Sequence, residues 1–228
     1  FSLCISNCFY SSANYGCDNS LFGYFWTLPL EMMSWTRPPK LFRYIYPHSK
    51  WECWLEQDIL FTFDDGPGPH TDELLNFSQG YNIKFAFFIL PQQAQKYPEI
   101  VSRIVKEDHI LGSHFSQHRH HIMDTKTTFL NSLNESVEKI EHISQNTIKY
   151  CRVPYGRLLP WQDRWINQGG YEHVFWSLDS KDYNLEPSEK VINRVRDNIQ
   201  SNDIVLLHDG KASHPHIVQI VEKALKLL

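Results

Sequence analysis

Short apolar runs alternate along the chain with segments whose apolar residues have helical spacing. The runs predict six strands, at residues 58–63, 85–90, 110–111, 150–153, 173–178 and 204–207. Apolar residues three and four positions apart predict helices at residues 71–80, 98–109, 127–144, 161–168, 187–200 and 216–228. This alternation with short connections predicts an α/β fold with a parallel sheet and crossover helices, either closed as a barrel or open and doubly wound.

Composition and charge exclude several classes of protein. The 228 residues fit one α/β domain of barrel size. Lys and Arg number 22 against 26 Asp and Glu, and no long basic run occurs, so we expect no nucleic-acid partner. No apolar stretch reaches the roughly 20 residues that a transmembrane helix needs, so we expect no such segment.

The five cysteines do not form a metal-binding pattern. They are an odd number without a CxxC pair, so we expect no zinc site built on cysteine. A disulfide between Cys17 and either Cys4 or Cys8 stays open, and free thiols are the simpler interpretation for most of the five.

Ionisable residues follow most of the predicted strands at the point where each strand ends. Their positions are Asp64, Asp65, His114, His118, Arg152, Asp179, Asp182, His208 and Asp209. The active sites of barrels and open parallel sheets lie at the carboxyl ends of the strands. We therefore expect these side chains to meet at one rim.

Each of these residues alone has an ordinary structural explanation. Asp64-Asp65-Gly66 could be only a turn, and a His pair four residues apart is expected about 0.6 times by chance with 12 His in 228 residues. His120 and His121 are expected to be solvated loop residues. The set is more specific, because one Asp with two His is a typical ligand set for a divalent transition metal. A second carboxylate can then act as a base, and a separate His as an acid, in metal-assisted hydrolysis.

Five short motifs resemble the signatures of the polysaccharide deacetylases, carbohydrate esterase family 4, in that family's order. The first is Thr62-Phe-Asp-Asp-Gly-Pro67, and the others are His114-Phe-Ser-Gln-His118, Arg152-Val-Pro-Tyr155, Asp179-Ser-Lys-Asp182-Tyr183 and Leu206-Leu-His208. The resemblance covers about residues 58–228. It implies a distorted (β/α) barrel, often of seven parallel strands, in a single catalytic domain.

The resemblance also implies a role for each matched residue. Asp65, His114 and His118 would hold a divalent metal, usually zinc or cobalt. Asp64 would be the general base, kept ionised by Arg152. His208 would be the general acid, its pKa raised by pairing with Asp182, with Asp179 as the second candidate for this pairing. The substrate-binding residues would be those of the third motif and the apolar wall around the acetyl methyl group, namely Pro154, Tyr155, Trp176, Tyr183 and Leu206, with the Tyr155 N–H and the metal stabilising the oxyanion.

Two positions depart from the family pattern. Phe115 stands where the family has Ser or Thr, whose hydroxyl braces the loop that carries both histidines, so its loss would loosen the metal site unless Ser113 or Ser116 replaces it. Tyr183 stands in place of Trp, which keeps an aromatic wall and adds a hydroxyl.

The composition of residues 1–30 differs from that of the rest of the chain, and the difference suggests domain boundaries. Residues 1–30 are rich in Ser, Asn, Cys and aromatic residues, with Asp18 as their only charge. They form a poor signal peptide, because no Lys or Arg precedes an apolar segment. We expect residues 1–31 to be an extension, residues 32–57 a lead-in segment and residues 58–228 the catalytic domain. The resemblance is consistent with a bacterial envelope or secreted location, for which no export signal is visible.

The expected function is metal-dependent removal of acetyl groups from an acetylated polysaccharide or oligosaccharide. N-acetylglucosamine polymers such as peptidoglycan or chitin-like chains are the expected substrates. The alternatives are O-deacetylation of acetylated xylan, cyclic-amide hydrolysis on the same barrel, and a carbohydrate-binding barrel without activity. Phe115 alone favours the last of these.

Overall fold

One parallel sheet forms the centre of the protein in the computed structural model, which describes residues 35–210 and 213–226. Its strands are β1 (Ile59–Asp64), β2 (Ala86–Ile89), β3 (Ile110–Ser113), β4 (Tyr150–Cys151), β5 (Glu172–His173), β6 (Leu178–Asp179) and β7 (Asp203–His208). They lie in the order β5-β4-β3-β2-β1-β7-β6, and all neighbours pair in parallel. The parallel sheet and the seven strands that the family resemblance implied are confirmed for the described residues.

The two central strands are apolar because both of their faces are covered. Every residue of β1 and β2 is buried, as expected of a parallel sheet with helices outside it. Phe63 packs against Phe85 and Phe87 with ring centroids 5.2 and 5.3 Å apart. This aromatic core fixes the two strands that end at the ionisable rim.

Helices connect the strands and cover the sheet. They are α1 (Phe42–Ile45), α2 (Thr71–Tyr81), α3 (Pro91–Lys96), α4 (Pro98–Lys106), α5 (Lys126–Ser144), α6 (Pro160–Gln168), α7 (Ser188–Asn198) and α8 (Ile217–Leu225), with 3-10 turns at Pro154–Gly156 and Asp182–Asn184. The sequence predicted neither α1 nor α3. Pro91 ends the strand as expected, but it also begins α3, because proline lacks only an N–H that the first helical turn leaves unpaired.

The single strand predicted at residues 173–178 is wrong. The segment contains two short strands, β5 and β6, that lie at opposite edges of the sheet. Only four residues join them, so the two edges must lie near each other, and the sheet is curled into a half-barrel. The apolar run was uniform because all of residues 173–178 are buried, and burial alone does not reveal the change of edge.

Part of the lead-in segment packs into the barrel. The Lys50 N–H donates to the His173 carbonyl at 2.8 Å and the Phe175 N–H donates to the Lys50 carbonyl at 2.9 Å, beside β5. Phe42, Tyr46 and Trp51 are buried in the same core as the strands. Residues 35–57 therefore contribute to the stability of the barrel.

The predictions for residues 1–31 and for Cys4, Cys8 and Cys17 lie outside the described residues. Within them, Cys53 and Cys151 are free thiols. No helix in the described parts of the chain has the length and apolar character needed to cross a membrane.

Candidate active site

The register of β1 and β7 sets the geometry of the rim. Asp64 pairs with His208 at the carboxyl ends of the two strands, after five aligned pairs that begin with Ile59 and Asp203. The next residue, Asp65, has a left-handed backbone with φ 70°, so the two successive carboxylates do not alternate as they would in a continued strand. They contact different partners.

The Asp65 carboxylate lies between two imidazoles. Its Oδ1 atom is 3.4 Å from His114 Nε2 and 3.2 Å from His118 Nε2. This oxygen is buried and has no hydrogen-bond donor among the described residues. The three ligand atoms lie within 4.8 Å of one another, and the two shorter spacings match the edges of a tetrahedron with ligands about 2.0–2.1 Å from its centre. The cluster fits a divalent metal ion.

Two serines brace the loop that carries both histidines. Ser113 Oγ accepts a hydrogen bond from the Phe115 N–H at 3.2 Å and donates to Ser136 Oγ at 2.8 Å. Ser116 Oγ lies 2.9 Å from Ser132 Oγ, and the Ser116 N–H donates to the Ser132 carbonyl. Both serines therefore connect the loop to α5. They supply the bracing hydroxyls that the sequence analysis named as possible replacements for the one missing at Phe115.

Phe115 holds the same loop by packing. Its side chain is fully buried, and its ring lies 5.1 Å from that of Phe129 and 4.8 Å from that of His121. His121 is buried and hydrogen-bonded to Asp124 at 2.7 Å. The expectation that His121 is a solvated loop residue is therefore wrong, because its ring is buried against Phe115 beneath the loop. His120 is exposed, as expected.

Arg152 is a buried guanidinium that holds Asp64. It donates through Nη1 to Asp64 Oδ1 at 2.8 Å and to Thr62 Oγ1 at 2.7 Å. Its Nε and Nη2 atoms donate to the carbonyls of Val174 and Phe175. A buried ion is tolerated when it is paired and fully hydrogen-bonded. The arrangement fixes one oxygen of Asp64 and leaves the other available at the cleft.

His208 ends β7, which lies on the opposite side of β1 from β2 and β3. Its Nδ1 atom lies 2.9 Å from Asp182 Oδ1, and its N–H donates to Asp182 Oδ2 at 2.8 Å. Burial by itself lowers the pKa of His208, but the charge and hydrogen bond of Asp182, with the charges of Asp64 and Asp65, outweigh it and raise the pKa to about 10. This imidazole is able to carry a proton at neutral pH.

Asp179 has different partners from Asp182. It accepts hydrogen bonds from the Lys181 N–H at 2.8 Å and from the Tyr183 hydroxyl at 3.0 Å. Burial raises the pKa of Asp179 to about 6. The hydroxyl that distinguishes Tyr183 from the family's Trp thus has a buried acceptor, and Asp179 positions this ring rather than hydrogen-bonding to His208.

These residues surround one cleft of about 260 Å³ at the carboxyl end of the sheet. Its wall away from the ionisable groups consists of Tyr155, Gly156, Trp176, Tyr183 and Leu206. A Cβ atom at Gly156 would lie 2.3 Å from the Trp176 ring, so only glycine lets that ring approach, and the residue has a φ of 61° as well. Pro154 is buried and begins the turn that carries Tyr155, but it does not line the cleft.

A family model described as polysaccharide deacetylase matches residues 54–174, more than half of the chain. The chain belongs to the polysaccharide deacetylase family. The match begins within the lead-in segment, just before β1, and ends just beyond β5.

Individual members of the family show the same relationship. A peptidoglycan-N-acetylglucosamine deacetylase of Bacillus cereus is 29% identical over 182 residues, which are 79% of this chain and 66% of the relative. A second protein of that name from B. cereus is 30% identical over 173 residues, 75% of this chain and 81% of the relative. This chain thus covers slightly less than two thirds of the first relative.

A solved structure shows the shared fold. It is a crystal structure of a peptidoglycan N-acetylglucosamine deacetylase, with a TM-score of 0.74 and 24% identity, covering 83% of this chain and 90% of that one. This polysaccharide deacetylase domain therefore shares its fold, including the curled sheet, with that solved structure.

Asp209 is a residue of the deacetylase rim to which sequence reasoning gave no role. It is fully buried and accepts a hydrogen bond from Thr71 Oγ1 at 2.6 Å, and Thr71 Oγ1 in turn accepts from the Gly68 N–H at 2.7 Å. A Cβ atom at Gly66 would lie 2.2 Å from its carboxylate. Asp209 therefore anchors the loop that presents Asp65. Its position directly after His208 was the available signal, but a turn explained it equally well.

Proposed function

We propose that this protein is a metal-dependent hydrolase that removes the acetyl group from the nitrogen of N-acetylglucosamine units in a polymer. The observation that carries the proposal is the joint geometry of one cleft. The Asp65, His114 and His118 cluster lies on one side, and the paired His208 lies on the other. Family membership and relatives named as N-acetylglucosamine deacetylases support the amide as the bond that is cleaved.

Asp65, His114 and His118 would hold the metal, and zinc suits a set of two imidazoles and one carboxylate. A divalent cation there supplies the Lewis-acid chemistry that lets water attack an amide carbonyl at neutral pH. The polypeptide then has to take a proton from that water and give one to the leaving nitrogen.

Asp64 would take the proton. Its Oδ1 atom is held by Arg152 at 2.8 Å, so the carboxylate cannot rotate away from the cleft that it lines. The counter-charge and the fixed orientation suit a general base beside the attacking water. Thr62 assists indirectly, because it fixes the guanidinium that fixes Asp64.

His208 would give the proton to the amine as the carbon–nitrogen bond breaks. Asp182 orients the ring through Nδ1, which leaves Nε2 for the substrate. The Tyr155 N–H would stabilise the developing oxyanion. Trp176, Tyr183 and Leu206 would enclose the acetyl methyl group and exclude water from it.

The test is release of acetate from N-acetylglucosamine oligomers and from acetylated xylan, with added zinc or cobalt and with a chelator. We expect chelator-sensitive release from the oligomers. Asp64→Asn should lower kcat by about 10³-fold, since general bases typically contribute about 10²–10⁴-fold. Its metal content, measured by elemental analysis, should stay that of the parent.

Two other results would point to the alternatives. Release from xylan alone would make the protein an ester hydrolase. No release from either substrate, with the metal bound, would favour the binding barrel. An Asp64→Asn variant with the parent rate would contradict the role of that carboxylate.

A further inference from the structure

Arg157 follows the cleft-lining Gly156 in the chain and has no neutralising carboxylate among the described residues. Within residues 35–210 and 213–226 it has no carboxylate oxygen within 4.0 Å, and its hydrogen bond is from Nη1 to His120 Nε2 at 3.2 Å. Its Nε atom is buried without an acceptor among these residues. A guanidinium has five N–H donors, so most of the hydrogen-bond donors of Arg157 have no acceptor among these residues.

Arg119, next to His120 in the chain, is an arginine whose charge is paired. Arg119 donates to both oxygens of Asp124, at 2.9 and 2.8 Å. The other arginines of the described residues, apart from Arg164, each lie within 4.0 Å of a carboxylate. Among the arginines that the structure describes, only Arg157 and Arg164 therefore have no carboxylate partner.

A series of adjacent, mutually tilted rings connects Arg157 to the cluster of Asp65, His114 and His118. The His118 ring lies 4.4 Å from the Tyr155 ring, which lies 4.3 Å from the His120 ring, and His120 accepts the hydrogen bond from Arg157. His118 and Tyr155 line the cleft, and Arg157 follows the cleft-lining Gly156 directly in the chain. The free cation thus lies just beyond the position where the acetylated sugar would bind.

We propose that Arg157, with Tyr155 and His120, forms a subsite for a sugar that bears a carboxylate, adjacent to the sugar that loses its acetyl group. The aromatic rings offer flat apolar faces of the kind that pack against sugar rings, and the guanidinium matches a carboxylate, to which its hydrogen bonds are charge-assisted. The proposal rests on the proposed function. It selects an acidic polymer over a neutral one.

Two carboxylates could reach such a subsite in an alternating polymer of N-acetylglucosamine and N-acetylmuramic acid. One is the free lactyl carboxylate of a muramic acid without its peptide, and the other is a carboxylate of an attached peptide. A polymer of N-acetylglucosamine alone has neither.

The test compares substrates that differ in one carboxylate charge and one methyl group. The probe is a peptide-free tetrasaccharide of alternating N-acetylglucosamine and N-acetylmuramic acid, assayed as the free lactyl acid and as its methyl ester. We expect kcat/KM for the acid to exceed that for the ester by about tenfold or more, as a charged hydrogen bond predicts. Arg157→Gln should bring the ratio to about one, and Arg157→Lys should restore it in part, because lysine keeps the charge without the planar fork.

Arg164→Gln is the matched control. Arg164 is exposed, lies seven residues further along the chain and also has no carboxylate within 4.0 Å among the described residues, so a general effect of removing a cation would appear there as well. Its acid-to-ester ratio should equal that of the parent. A peptide-bearing tetrasaccharide assigns the carboxylate: Arg157 dependence confined to it would support the subsite and identify the peptide as the source.

The outcomes separate this proposal from the function on which it rests. The subsite alone is overturned if both tetrasaccharides are hydrolysed and Arg157→Gln changes neither their acid-to-ester ratio of kcat/KM nor kcat/KM on the peptide-bearing tetrasaccharide. The proposed function is overturned if acetate is released neither from these oligosaccharides nor from N-acetylglucosamine oligomers.

Discussion

The two ends of the sheet each place a buried or nearly buried histidine beside a cleft. His208 lies beside the cleft of about 260 Å³ at the carboxyl ends of the strands, and His109 lies beside one of about 250 Å³ at their amino ends. The size of the cavity does not distinguish the two sites. What differs is the partner of each imidazole.

The partners give the two histidines opposite protonation. Burial, with the positive charges of Lys84 and Arg103, lowers the pKa of His109 to about 4. At the other end the Asp182 charge and hydrogen bond overcome burial, and the pKa of His208 is raised to about 10. His109 also has a carboxylate nearby, with Glu107 Oε2 3.9 Å from its Nε2, whereas Asp182 is hydrogen-bonded to His208 at 2.9 Å. The hydrogen-bonded carboxylate is therefore what keeps a buried histidine protonated.

The spare hydrogen-bonding capacity differs as well. His109 uses both ring nitrogens, since Nδ1 accepts from the Phe85 N–H at 3.0 Å and Nε2 lies 3.1 Å from Ser78 Oγ. His208 uses Nδ1 on Asp182, and its Nε2 has no hydrogen bond within the described residues. An unused ring nitrogen at a cleft, more than burial or cavity volume, is therefore the feature that would mark a reactive histidine.

Removing the carboxylate beside His208 should make the two histidines alike, and this is the largest effect that we expect. Asp182→Asn keeps the shape of the side chain but removes the charge that raises the pKa of His208. A general acid acts only while protonated, so the alkaline limb of kcat/KM should move to lower pH by about four units, from about 10 to the range of an unpaired buried imidazole. At pH 8 the rate should fall about 10²-fold. A pH–rate profile of the metal-loaded enzyme measures both.

Asp179→Asn provides the matched control for this profile. Asp179 is equally buried, but its hydrogen bonds are to Tyr183 and the Lys181 N–H. The alkaline limb should stay within about half a unit of that of the parent. Equal shifts in the two variants would mean that general negative charge, rather than the Asp182 hydrogen bond, sets the pKa of His208.

The loop that carries His114 and His118 tests how far the carboxyl end depends on packing. The Phe115 side chain is fully buried, so Phe115→Thr should lower the free energy of unfolding by about 2–4 kcal/mol. Metal affinity should change by less than about twofold, because Ser113 and Ser116 already brace the loop. Denaturant melts and metal titration measure the two effects.

Ser116→Ala is the complementary variant. It removes the hydroxyl that lies 2.9 Å from Ser132 Oγ, and it should weaken metal binding more than Phe115→Thr does. If Phe115→Thr instead tightened metal binding tenfold, the family's hydroxyl would be needed at that position and the bracing by the serines would be insufficient.

The carboxyl-end site could be predicted from the sequence because its residues are marked twice. Asp64, Arg152 and His208 each follow an apolar run, and each also stands in a family motif. Parallel strands bring their ends to one rim, so chain order alone was enough to place these side chains together.

The remaining features depend on tertiary contacts that leave no local pattern. The division of residues 173–178 between two sheet edges is invisible because both parts are buried. Phe115 looks like the loss of a hydroxyl until the serines on either side of it are seen to contact α5. The unpaired charge of Arg157 is defined by the absence of a carboxylate near it in space among residues 35–210 and 213–226, which the sequence does not record.

The amino-end histidine gives the smallest effect and the sharpest contrast. His109→Gln should leave kcat per folded molecule unchanged, because His109 lies at the end of the sheet away from the cleft. It should lower the free energy of unfolding by about 1–3 kcal/mol at pH 8, because the buried Phe85 N–H loses its acceptor, His109 Nδ1. The pKa of His109 is lower in the folded protein than in the unfolded chain, so its contribution is present above pH 6.5 and is lost as the pH falls towards 4. The stability difference between parent and variant should therefore narrow between pH 6.5 and pH 4, as measured by urea unfolding at each pH. A difference that stays constant across this range would show that folding does not lower the pKa of His109, and the contrast with His208 would fail.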